Sequence, residues 1–204
     1  MALLRSFFKR SLDRQDFITV VSGLPRSGTS MMMSALKAGG LTLLTDEIRT
    51  ADANNPKGYL EYERVKRLPE GDTEWLKEAR GKVVKVISPL LAYFPDKYSY
   101  KVIFMERELN EILSSQARML EQAGKQNQRS SSDEEVRISY QRHLEDVQAW
   151  LADQDRMDTL YVSYNRILRQ PLKVFREVGR FLNGRVSPKL MTQVVDENLY
   201  RERN

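Results

Sequence analysis

Phe17-Ile-Thr-Val-Val-Ser22 runs directly into Gly23-Leu-Pro-Arg-Ser-Gly-Thr-Ser30, and the fold turns on how these fourteen residues are read. The first six are a short, β-branched apolar run, the pattern of a strand buried on both faces. The next eight hold two glycines, a proline and three hydroxyl side chains, Ser27, Thr29 and Ser30. From Thr29 to Ala38 the pattern becomes helical and stops at Gly39-Gly40. Strand, glycine-containing loop and helix in succession open a βαβ unit.

Working outward, three more buried-strand candidates follow at 82–87 (KVVKVI), 100–105 (YKVIFM) and 159–164 (TLYVSY). Helical patterns separate them. Leu109, Ile112, Leu113, Gln116 and Leu120 mark one helix face, and Val136, Tyr140, Leu144, Val147 and Leu151 another, with Asp133 as its expected N-cap. A last helix starts near Pro171, buries Phe175, Val178 and Leu182, and stops at Asn183-Gly184. Strands that alternate with helices predict an α/β fold, a P-loop-like parallel sheet with helices on both faces. At 204 residues the chain is read as an N-terminal segment, 1–16, and a single domain, 17–204. The polar stretch 122–132 (QAGKQNQRSSS) is expected to be a loop.

Composition narrows the chemistry. There is no cysteine and one histidine, His143, which removes thiolate metal sites, cysteine nucleophiles and multi-histidine catalysis. Acid–base work falls to carboxylates, Lys or Tyr. The net charge of +5 is dispersed, which suits an anionic ligand and not nucleic acid. No apolar stretch has the length of a membrane helix. Residues 1–10 (MALLRSFFKR) have two apolar clusters broken by Arg5 and no small-residue cleavage site, so they are read as packing on the domain and the expected location is cytoplasmic.

The loop from Gly23 to Ser30 has Walker A spacing, with Thr29 where the lysine would stand. Its physics survives that exchange. Successive backbone N–H groups opening onto a helix N-terminus make an anion cradle, and the hydroxyls add donors. A cation reappears three residues earlier as Arg26.

Pro25-Arg-Ser-Gly-Thr-Ser30 after a buried strand resembles the 5′-phosphosulfate loop of sulfotransferases that use 3′-phosphoadenosine 5′-phosphosulfate (PAPS) and release PAP. The resemblance implies that Arg26 contacts the phosphate–sulfate bridge while Pro25, Ser27, Gly28, Thr29 and Ser30 line the 5′-phosphate. It extends to an arginine at a strand end with a serine eight residues on, here Arg107 and Ser115, as a 3′-phosphate pair. Ser114 leaves that register open, and Arg107-Glu108-Leu109 departs from the family's Arg-Asn/Asp-Pro. Residues 51–63 (ADANNPKGYLEYE) resemble an N-P-x-G-x-x-E segment of bacterial members. Residues 161–184 resemble the family's Tyr-Glu-Asp-Leu segment and following helix, with Tyr164 near the adenine and Asn165 where Glu is usual.

Sulfuryl transfer needs in-line attack, a proton acceptor and stabilisation of charge on the leaving phosphate. Lys85-Val-Ile-Ser-Pro89 resembles the family's Lys-Thr-His-x-Pro, which implies a catalytic Lys85 beside Arg26 but puts Ile87 in the place of the histidine. Some members of the family use a glutamate base instead, so the resemblance implies Glu61 or Glu47 in that role, while His143 reads as a packed or surface residue. The acceptor stays open among small-molecule alcohols or phenols, carbohydrates, lipids and peptide tyrosine, and the sequence carries no sign of oligomeric state. Two other readings compete: a P-loop nucleotide kinase or NTPase with Glu106 imitating a Walker B carboxylate, and a non-catalytic nucleotide-binding protein.

Overall fold

Four strands form one parallel sheet in the order β2-β1-β3-β4: β1 (Ile18–Gly23), β2 (Val83–Lys85), β3 (Tyr100–Glu106) and β4 (Met157–Ser163). The computed structural model describes residues 17–46, 48, 58–122 and 132–195. The N-terminal segment 1–16, Glu47, residues 51–57 of the N-P-x-G stretch and most of the polar loop lie outside the described residues.

Side chains alternate between two cores, as the period of two requires. Val21, Ile103, Met105 and Val162 face one core, and Ile18, Val20, Val102 and Phe104 face the other. The first core is roofed by α1 (Thr29–Ala38) together with α5 (Tyr164–Arg169), α6 (Pro171–Phe181) and α7 (Pro188–Thr192). The second takes α2 (Leu76–Ala79), two 3₁₀ segments (Glu63–Glu70 and Ser88–Tyr93) and the distal half of α4 (Asp133–Ala152). Between β3 and α4 the chain forms α3 (Leu109–Gln122). Both faces of a parallel sheet are therefore covered, as the alternating pattern predicts.

Several sequence boundaries move. The second strand is three residues long, not six, because the chain turns into the 3₁₀ segment at Ser88-Pro89. The fourth strand begins at Met157, and Tyr164 opens α5 in place of closing the strand, with Ser163 Oγ capping the Arg166 N–H. The N-cap of α4 is Ser132, which forms a reciprocal capping box with Glu135, and not Asp133.

The strand order positions the site. From β1 the chain crosses to β2 on one side and then to β3 on the other, so the direction of progression reverses at β1. In open α/β sheets, the carboxyl ends of the strands at such a reversal diverge into a crevice that receives ligands. Here that crevice lies between the loop after Gly23 and the chain after Glu106.

Candidate functional site

The loop after β1 is held in conformations few residues tolerate. Gly23 has φ 142, and a β-carbon there would lie 2.6 Å from the Met105 carbonyl oxygen and 2.7 Å from Ser27 Oγ. Gly28 sits at φ 99, and Arg26, with no such freedom, at φ 70. Helix α1 follows with neither a side-chain cap nor an acidic residue in its first turn. Its leading N–H groups and partial positive charge are thus offered to an anion. Ser27 is buried beneath the loop, and its Oγ has no hydrogen-bond partner among the described residues.

Across the crevice, Arg107 leaves the end of β3 and joins the loop. Its Nη1 donates to the Arg26 carbonyl at 3.1 Å, and its guanidinium lies 4.5 Å from the Tyr164 ring centroid. Arg26 Nε donates to Ser115 Oγ at 2.9 Å. The structure therefore brings Arg26, Gly28, Arg107, Ser115 and Tyr164 into one place. It also separates the two serines, since Ser114 is exposed while Ser115 faces Arg26. Burial pushes the Tyr164 hydroxyl above its ordinary pKa, against the pull of the Arg107 cation.

One member of this cluster, Glu111, was missed from sequence, and Asn165 was noted only as standing where Glu is usual. Glu111 Oε2 accepts from Arg107 Nε at 2.7 Å, and its Oε1 accepts from Asn165 Nδ2 at 2.6 Å. The i,i+4 spacing from Arg107 to Glu111 was the available signal.

Lys85, at the end of β2, builds a second cluster. Its ammonium, on a side chain only 8% exposed, is 3.2 Å from Glu61 Oε1 and 3.4 Å from Ser30 Oγ, and it donates to the Tyr59 carbonyl. Lys85 thus connects the glycine loop with Glu61. Glu47, the other candidate carboxylate, lies outside the described residues. Ile87 is half-exposed, and His143 Nε2 lies 2.8 Å from the buried Ser88 Oγ, fastening α4 to the segment that follows Lys85.

Glu106 faces the core opposite α1, where its carboxylate accepts from Gln148 Nε2 at 3.3 Å. Burial holds its pKa above the usual carboxylate value. That direction is wrong for a partner of the loop hydroxyls, so the Walker B imitation has no geometric support. Among the described residues there is no group of three metal-ligating side chains, and no helix is long and apolar enough to cross a membrane.

Comparison with known proteins bears on the family and the fold. The family described as "Sulfotransferase domain" matches residues 16–202. A search of curated proteins finds no match. Among solved structures, the sulfotransferase domain from the curacin biosynthetic pathway aligns with a TM-score of 0.51 at 15% identity, covering 87% of this chain and 77% of its own. A sulfotransferase from Mycobacterium avium gives a TM-score of 0.51 at 15% identity, covering 93% and 69%. A mouse sulfotransferase complexed with PAP gives 0.50 at 14% identity, covering 99% and 71%. At these identities the structural likeness speaks for the fold.

Proposed function

Because the chain belongs to the sulfotransferase family, we propose that its donor is PAPS and that the crevice between β1 and β3 is where PAP is left after transfer. The observation that carries this is the convergence of two cationic anion seats. One is the uncapped N-terminus of α1 with Arg26, and the other is Arg107 with Ser115, joined by the 3.1 Å bond from Arg107 to the Arg26 carbonyl. A nucleotide with a 5′ and a 3′ anionic group matches two seats, and the buried Ser27 hydroxyl adds a donor still in want of an acceptor. Tyr164, the residue assigned to the adenine end, is buried and packs against both Arg107 and Gly28.

In the reaction, a bond forms from the acceptor oxygen to sulfur, the bond from sulfur to the bridging phosphate oxygen breaks, and the acceptor proton departs. Arg26, the loop amides and Lys85 stabilise the negative charge that gathers on the departing side. Glu61, held in place by Lys85, receives the proton. The acceptor is a hydroxyl compound, entering from the side of Glu61 and the 3₁₀ segment Glu63–Glu70.

Thermal unfolding of the protein with PAP, and in parallel with Mg-ATP, tests the donor assignment. A ligand at a hundredfold excess over its Kd adds about 2.7 kcal/mol to the native state. A rise in Tm with PAP and none with Mg-ATP is expected. A rise with Mg-ATP alone would overturn the assignment in favour of a nucleotide kinase.

A further inference from the structure

Arg107, Glu111 and Ser115 are spaced four apart, so the last two stand on one face of α3 and the first reaches back to it. The seat expected to take the 3′-phosphate thus has a carboxylate at its centre. Glu111 is no surface residue paired by chance. The Arg107 and Glu111 side chains are only 9% and 13% exposed, and the carboxylate is fixed from its other oxygen by Asn165.

A guanidinium has five N–H donors in a planar fork, and phosphate recognition uses two of them side by side. Here Nε is given to Glu111 and Nη1 to the Arg26 carbonyl, so a donor on each side of the fork is engaged within the protein. Ser115, the other expected ligand, already accepts from Arg26. An incoming dianion either displaces these contacts or takes the remaining donors of the fork with a like charge at close range.

We propose that Glu111 is a built-in competitor for the nucleotide's 3′-phosphate at Arg107, and so sets how strongly the site prefers 3′-phosphorylated nucleotides. This rests on the donor reading above and deepens it. The competitor keeps Arg107 paired and correctly placed when no nucleotide is bound, at the expense of affinity for the 3′-phosphate. Nucleotides that lack the group neither gain from Arg107 nor contend with Glu111.

PAP and adenosine 5′-monophosphate differ only by the 3′-phosphate, so their titration by calorimetry isolates this seat. In Glu111→Gln, which keeps the shape and the Asn165 contact but not the charge, PAP affinity is expected to rise about fivefold or more. Affinity for adenosine 5′-monophosphate is expected to stay within about twofold, well below that coupling. Glu111→Asp, which withdraws the carboxylate from Nε, should tighten PAP in the same direction and serves if the glutamine variant does not fold. Weaker PAP binding in both would make Glu111 a buttress and overturn the proposal, as would no change, or an equal gain for the two nucleotides. Wild-type protein that binds no PAP would overturn the donor assignment itself. That failure is read from the wild-type titration alone and is not confused with the others.

Discussion

Tyr164 lies so close over Gly28 that a β-carbon on the glycine would fall 2.5 Å from the ring's Cδ2. The loop that opens the phosphate cradle and the ring assigned to the adenine are therefore one packed unit. Gly28→Ala meets both this contact and a φ of 99 that side chains rarely adopt. It should lower stability by about 1–3 kcal/mol in urea unfolding and weaken PAP binding in the same preparation. Wild-type values for both would mean that the loop and Tyr164 move independently.

Lys85 and Glu61 should divide the chemistry between them. Glu61→Gln is expected to lower kcat by about 10²–10⁴ with little change in PAP affinity, since it removes the proton acceptor and leaves the nucleotide seats in place. Lys85→Met should lower kcat by about 10²–10³ through loss of charge stabilisation. The double variant should fall short of the product of the two, because the side chains touch at 3.2 Å and act as a unit. A fully active Glu61→Gln would move the proton acceptor to Glu47.

His143 should matter for stability and not for transfer. Its contact with Ser88 joins α4 to the chain after β2, and its loss in His143→Ala is expected to cost about 1 kcal/mol. Turnover should remain within about twofold, a change too small to be the loss of an acid–base group. A collapse of kcat in a variant of native stability would instead identify the histidine as the base.

Glu106 predicts a pH dependence. Burial raises its pKa, so the native state binds this proton more tightly than the unfolded chain does. The associated stability is fully present below the unfolded carboxyl range and is lost as pH rises through the folded value. Glu106→Gln, which removes that titration, should therefore raise Tm relative to wild type at pH 7.5 and lose the advantage near pH 4, where the unfolded carboxyl titrates. An advantage that persists undiminished in acid would contradict the assignment.

Much of the architecture was legible because it is written in short-range pattern. The β-branched run before Gly23 and the periodic apolar positions of α6 give strand and helix without reference to anything distant. The two 3₁₀ segments were not legible, since a short helix with three residues per turn leaves no 3.6-residue stripe. The apolar stripe of α4 marks its sheltered face along the whole helix, with Val147 and Leu151 buried and Val136 and Tyr140 partly so between exposed neighbours. At the site, the loop motif pointed to Arg26 and the strand end to Arg107. Glu111 was hidden because an i,i+4 ion pair on a helix is usually a solvated one of little weight, and only the packing of Tyr164 and Asn165 makes it internal. The pairing of His143 with Ser88 spans 55 residues, beyond the reach of any local pattern.

The left-handed backbone at Arg26 sets two selective demands against each other. A residue with a side chain at φ 70 carries a standing conformational penalty of about 1–2 kcal/mol that glycine would not. Arg26→Gly is thus the change that relaxes the loop, and it is also the one that deletes the guanidinium aimed at Ser115. A library screened for heat resistance alone would drift towards glycine at this position and return a tougher protein with a quieter crevice. Thermal robustness and transfer are, at this one residue, rival optima.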